Sequence, residues 1–311
     1  MSEEARAILS REDFFKGFLD HLTVPFLKPI AEGFFENVRQ VESLIQMPLM
    51  MFSMLEINEQ FGEEMKSLAL DSWRRIRGEG FADLLDDAKT DWDPVRQPDF
   101  FERVLKHQEK VLAMPKCGEM LKTSMDVLYR AGVSGSWTAF ECVATDLWVT
   151  ALNEEPTSLA QTAISSIEGQ EPNELTSKQI PVGLAARYGF DLRRCLGTLL
   201  RSKFDFTSVS GIQKAYKVFL PNDEFIEKLL AQPELSELEA TRHLIVHRAS
   251  KVDEEYQRRS HSKLAIGSVL TFTREQAVRF SYLSSHSGIG LLAFVNDWLV
   301  KKKPKGNGAK S

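Results

Sequence analysis

The sequence predicts an all-α protein, on three observations. Apolar residues recur at three- and four-residue intervals through successive segments, the period of a helix with about 3.6 residues per turn. The segment Leu238 to His247 divides its side chains between two opposite faces at the same period. Only Ser268 to Phe272 alternates in the two-residue rhythm of a strand, and weakly, so it reads as a short strand or an extended loop. A chain of 311 residues exceeds the usual single-domain size, and 43% hydrophobic content is enough for real cores, so two domains are expected.

The first 116 residues read as an N-terminal helical domain of unassigned role. Phe14, Phe15, Phe18, Leu19 and Leu22 lie at helical spacing, and a second run from Ile30 to about Leu70 carries Phe34, Phe35, Val38, Val41 and Leu44. Pro48 is expected to interrupt that run, since proline removes a backbone donor and clashes with the preceding turn. Around it, Met47, Met50, Met51 and Met54 read as core filler, with an adaptable partner-binding surface as the alternative. Asp91-Trp92-Asp93-Pro94 and Pro98 then separate a helix from Asp99 to about Met114, and the domain boundary falls near Pro115 to Gly118.

The second domain spans residues 117 to 300. A helix is expected from Gly118 to Tyr129, a turn at Gly132-Val133-Ser134-Gly135-Ser136, and a further helix from Trp137 to Leu152. Glu141 shares a helical sector with Trp137, Ala144 and Trp148, a position where an unpaired carboxylate is costly. Arg242 is its natural partner, with Arg193 or Arg194 as the structural alternative. Asn153 to Gly183 is polar and reads as a long loop. Helices are expected at about Leu184 to Ser202, Ile212 to Phe219 and Asp223 to Ala231. A last one begins around Pro233-Glu234-Leu235-Ser236, with Ser236 as N-cap and Glu239 three residues on. The tail from Lys301 to Ser311 is basic and structureless by composition, a solvated terminus more readily than a phosphate-binding arm.

The chemistry concentrates on that last helix. At about 100° per residue, Glu239, Arg242, His243 and His247 fall in one sector, while Leu238, Leu244, Ile245, Ala249 and Val252 fill the opposite side. A histidine exchanges protons near neutrality, and a guanidinium stays cationic and grips a phosphate with two parallel hydrogen bonds. A proton-transfer group beside an anion clamp describes phosphodiester cleavage.

Arg242, the polar His243 beside it, three intervening residues and His247 resemble the Arg-polar-x3-His signature of the HEPN superfamily of helical ribonucleases. Val252 to Tyr256 is similar to the segment trailing this helix in the RiboL-PSP-like branch. Ser136-Trp137-Thr138-Ala139-Phe140-Glu141 through Asp146-Leu147 is similar to that branch's first helix, and Gly267 to Thr273 with a helix from Arg274 to Leu299 is similar to its closing elements. The resemblance covers roughly residues 130 to 300. The family often has Asn beside the arginine and a glycine shortly after the histidine, where this chain has His243 and Arg248-Ala249-Ser250.

The resemblance implies an antiparallel helical bundle and a metal-independent endoribonuclease that cuts RNA by 2′-hydroxyl attack, leaving a 2′,3′-cyclic phosphate. Arg242, His243 and His247, supported by Glu141, would form a composite site in a homodimer or higher even oligomer. It also implies a toxin-like or anti-phage defence effector held silent by an inhibitory partner protein, an inactive assembly or a trigger. The alternative is a catalytically inactive HEPN-like module that binds RNA or protein. A rival reading of the histidines is zinc, since His243 and His247 are four apart on a helix and Glu239, His261 or Cys195 could complete a site. No cofactor is called for.

The remaining signals exclude more than they assign. A formal net charge of −5 means that any nucleic-acid contact must come from a local basic patch. Three dispersed cysteines, Cys117, Cys142 and Cys195, form neither a disulfide framework nor a CxxC pair and suit a reducing cytoplasm. No secretory leader or membrane-spanning run is read, and no P-loop, dinucleotide fingerprint, zincin HExxH or GxSxG elbow occurs.

Overall fold

The computed structural model describes residues 13–76, 95, 97, 99–156, 182–191, 195–219 and 223–302, and among these it is helical, with no β-strand. Ten helices can be followed: α1 (Lys28–Ile76), α2 (Phe100–Leu112), α3 (Cys117–Glu154), α4 (Val182–Arg187), α5 (Leu196–Leu200), α6 (Val209–Phe219), α7 (Glu224–Leu230), α8 (Pro233–His247), α9 (Glu254–Ser260) and α10 (Arg274–Lys302). Residues 13–21 are also helical, and short 3-10 turns occupy Pro25–Leu27 and Arg201–Lys203. The segment 268–272 is not a strand: Lys251 and Val269 form a single antiparallel bridge.

The chain forms two compact units, one holding Ile45–Leu128 and the other Phe14–Leu44 with Tyr129–Ser311, so α1 and α3 each contribute to both. The first unit is centred on Phe52, Phe100 and Val104, with Leu49, Ile57 and Phe101 packed around them. Among its described residues the one deeply buried carboxylate, Glu56, accepts from Arg103 Nε at 2.9 Å and from Gln60 Nε2 at 2.9 Å, and such pairing is what makes a buried charge tolerable.

The second unit has a large aromatic core in which Phe35, Trp137, Phe140, Trp148 and Tyr216 are almost wholly buried. Phe15 stacks on Phe35 with ring centroids 4.2 Å apart. Trp148 Nε1 donates to the Ala215 carbonyl at 2.9 Å, and Tyr216 Oη donates to the Ala144 carbonyl at 2.8 Å, so α3 and α6 are joined in both directions. These bonds satisfy the polar tips that buried tryptophan and tyrosine bring with them. Helix α10 closes the unit: Asn296 Oδ1 accepts from the backbone N–H of Thr23 at 3.0 Å and of Val24 at 3.2 Å, and Gly288 admits the Phe34 ring so closely that a Cβ there would lie 2.3 Å from it.

Several local expectations are corrected. Gly132 to Ser136 is not a turn but the middle of α3, which runs unbroken from Cys117 to Glu154. Gly135 serves close packing, since a Cβ there would meet Val41 Cγ2 at 2.8 Å. Pro48 does not end α1, because Ile45 and Phe52 are buried on either side of it and their packing outweighs a lost backbone bond costing roughly 3 kcal/mol. The helix expected over residues 184–202 is broken after Arg187, where Gly189 and Phe190 take left-handed φ values of 61° and 59°. The methionines read as core filler are exposed, Met47 by 42% and Met54 by 67%. The break around Asp91 to Pro94, the greater part of the polar 153–183 loop, Arg193, Arg194 and the tail beyond Lys302 lie outside the described residues.

Candidate functional site

Helix α8 places the predicted residues. It begins at Pro233, with proline in the first turn where its missing N–H costs nothing, and not at Ser236, whose hydroxyl instead accepts from Arg259 Nε at 3.0 Å. Leu235, Leu238 and Leu244 are buried, Arg242 is half-buried, and His243 and His247 are exposed. The two imidazoles are neighbours, with ring centroids 5.0 Å apart and planes inclined by 47°. The helix stops at His247, so Ala249 and Val252 are not on its packed face: Val252 is buried beyond it and Ala249 is exposed.

The stop is built without glycine. Ala249 and Ser250 take left-handed φ values of 48° and 60°, and the N–H groups of Arg248 and Ser250 both donate to the Leu244 carbonyl, at 3.0 and 2.9 Å. The turn that ends α8 is therefore made on two side-chain-bearing residues, at a conformational cost of roughly 1 kcal/mol or more each.

Glu141 reaches toward the site from α3. Trp137 Nε1 donates to its Oε2 at 3.1 Å. Burial pushes the carboxyl above its ordinary range, and the Arg242 guanidinium opposes that as the strongest of the lowering influences. The two side chains thus sense each other, but no ion pair within 4.0 Å joins them. Sequence reasoning missed a second cation, Arg201, which acts on Glu141 and also on Asp146, whose carboxyl burial likewise raises. Arg201 sits in a short 3-10 turn with no period to mark it.

Glu239 faces a different task from the one its sector suggested. Its Oε2 accepts from the Val209 N–H at 2.8 Å, capping α6, and Arg259 Nη1 donates to its Oε1 at 2.9 Å. Both oxygens are committed to holding α8, α6 and α9 together. The zinc reading loses its third ligand accordingly. Cys195 is buried with Sγ donating to the Asp191 carbonyl, and His261 ends α9. Among the described residues the one trio with ligand atoms within 4.8 Å of one another is Glu56, Glu59 and His107, in the other unit.

The arrangement around α8 can hold an anion at Arg242 and move protons through two solvent-facing imidazoles on the same helix face. Among the described residues no helix is long and apolar enough to cross a membrane. Compared with models of protein families, with curated proteins and with solved structures, the chain matches none.

Proposed function

We propose that this protein is an HEPN-type, metal-independent endoribonuclease. The observation that carries the reading is the pairing on α8 of a half-buried arginine with two exposed, adjacent histidines, above a packed opposite face. One imidazole takes the proton from a ribose 2′-hydroxyl as its oxygen attacks phosphorus. The P–O5′ bond breaks, a second, protonated imidazole delivers its proton to the departing 5′-oxygen, and the products are a 2′,3′-cyclic phosphate and a 5′-hydroxyl. Arg242 stabilises the charge that grows on the phosphoryl oxygens, and Glu141 acts on that guanidinium from α3 through its field, without a direct ion pair.

In-line displacement puts attacking and leaving oxygens about 180° apart, whereas His243 and His247 project from one side of a rigid helix. A second copy of α8 across a two-fold axis supplies the opposing group, so the active species is a homodimer or higher even oligomer. By resemblance the biological role is that of a toxin-like or anti-phage effector kept silent by an inhibitory partner or an inactive assembly.

The test is incubation of the purified chain with total cellular RNA in EDTA. Cleavage persists, because every step uses side chains, and fragments carry cyclic phosphate ends. His247→Ala lowers the rate on the order of 10²-fold or more with unchanged helicity. RNA binding without cleavage under all conditions would instead make the protein an inert RNA-binding module, and cleavage abolished by EDTA would overturn the metal-independent mechanism.

A further inference from the structure

The first unit holds a side-chain cluster that the chemistry of α8 does not use. Glu56 and Glu59 stand three apart on α1, and Arg103 and His107 four apart on α2, spacings that bring each pair to one helix face. Glu56 is more than nine-tenths buried, His107 is partly buried and Glu59 is exposed.

Hydrogen bonds fall unevenly on the buried carboxylate. Arg103 Nε and Gln60 Nε2 both donate to its Oε1, each at 2.9 Å, and Arg103 also pairs with Asp99. Among the described residues none donates to Glu56 Oε2. That oxygen faces His107 Nδ1 at 3.7 Å, while Glu59 Oε2 lies 3.1 Å from the same nitrogen. Nδ1 carries at most one proton, and one proton serves one oxygen. A proton directed at Glu59 leaves the buried Glu56 oxygen without a donor, which is costly. The amide oxygen of Gln60, on the same side chain that donates to Glu56, is likewise buried without a partner. This arrangement suits a positive centre that takes several lone pairs at once, as a metal ion does and a proton does not.

The spacing and the charge agree with that reading. A tetrahedral ion with bonds of about 2.0–2.1 Å holds its ligand atoms roughly 3.3–3.4 Å apart. The two nitrogen-to-oxygen separations, 3.1 and 3.7 Å, bracket this, and all three ligand atoms lie within 4.8 Å of one another. Three carboxylates, Asp99, Glu56 and Glu59, share one guanidinium, so beside a neutral imidazole two negative charges remain, the complement of a dication. Magnesium and calcium prefer oxygen ligands throughout, whereas one imidazole with two carboxylates suits zinc and its first-row neighbours.

We infer that Glu56 Oε2, Glu59 Oε2 and His107 Nδ1 bind a zinc-class divalent ion, with water as fourth ligand, and that the ion fastens α2 to α1. The site is separate from α8 and does not depend on the nuclease reading.

The experiment uses the full chain with its exposed cysteines, Cys117 and Cys142, replaced by serine so that thiols take no metal. The protein is stripped with EDTA, moved to chelator-free buffer at neutral pH and titrated with zinc chloride in a calorimeter. One ion binds per chain at micromolar concentration, and the thermal midpoint rises, because the ion binds the folded chain and not the unfolded one. Cobalt in place of zinc gives the visible absorption of a tetrahedral ion. His107→Gln and Glu59→Gln, each at a site with solvent access, lower the affinity by at least about 100-fold, remove the cobalt absorption and keep the metal-free midpoint near that of the parent. Magnesium at the same concentration leaves the midpoint unchanged. A parent chain that binds no zinc at tens of micromolar overturns the inference and makes His107 a plain ion-pair partner of Glu59. Zinc binding that survives His107→Gln and disappears in His243→Ala also overturns it, since the histidine pair of α8 would then be the site. RNA cleavage is no part of the readout, so failure here leaves the nuclease reading untouched.

Discussion

Burial and a nearby guanidinium pull the Glu141 carboxyl in opposite directions, and burial prevails, raising it above its ordinary value of 4.5. A group raised in this way binds its proton more tightly in the folded chain than in the unfolded one. Its contribution to stability is therefore complete below the unfolded value and is lost as pH rises through the folded one. Glu141→Gln cannot titrate and keeps an oxygen for the Trp137 indole. Its stability relative to the parent is expected to improve between about pH 4 and about pH 7, read as the difference in denaturation midpoints at the two pH values. A constant difference would show that burial and the Arg242 field cancel at this carboxyl, and a worsening one that the field prevails. Single residues were unequally legible. The two faces of α8 can be read from a local period, so Arg242, His243 and His247 emerge from the sequence on one side. The destination of Glu239 cannot, because its partners Arg259 and Val209 stand 20 and 30 residues away and no local pattern reports them.

At the scale of elements, helix ends carry most of the departures. Proline and glycine act as punctuation only where packing does not override them, which is why α1 passes through Pro48 and α3 through Gly132 and Gly135. Where the chain does turn sharply, after His247, it uses residues that no turn rule favours. This arrangement can be improved by design. Ala249 is exposed and left-handed, so Ala249→Gly relieves steric cost while adding some unfolded-state entropy. A net gain of about 0.5–1 kcal/mol is expected, visible as a higher thermal midpoint with the α8 residues unaltered. A lower midpoint would mean that the Ala249 methyl packs against something that glycine forfeits.

At the scale of the whole molecule, the helical class is plain from composition and period, but the grouping of helices is not. The sequence suggests a division at residue 116, whereas Phe14–Leu44 joins the second compact unit. Nothing local announces that: Phe34 and Phe35 are core residues at helical spacing whether their neighbours come from one unit or another. A chain reduced to residues 117–300 would lack the N–H groups that Asn296 holds and the ring that stacks on Phe15, and it would expose the apolar surfaces they cover. Such a fragment is expected to aggregate or to melt well below the full chain, and a soluble fragment with the parent's midpoint would refute that dependence.

The contact between Thr23 and Asn296 spans 273 positions of the chain. On a ribosome adding roughly 5–20 residues per second, the N-terminal aromatic cluster therefore waits about 14 to 55 s for the helix that closes over it. Through that interval a phenylalanine-rich surface stands uncovered beside the exit tunnel. Completing the fold therefore waits for the late-made α10, and the nascent chain presents a sustained target for holding chaperones.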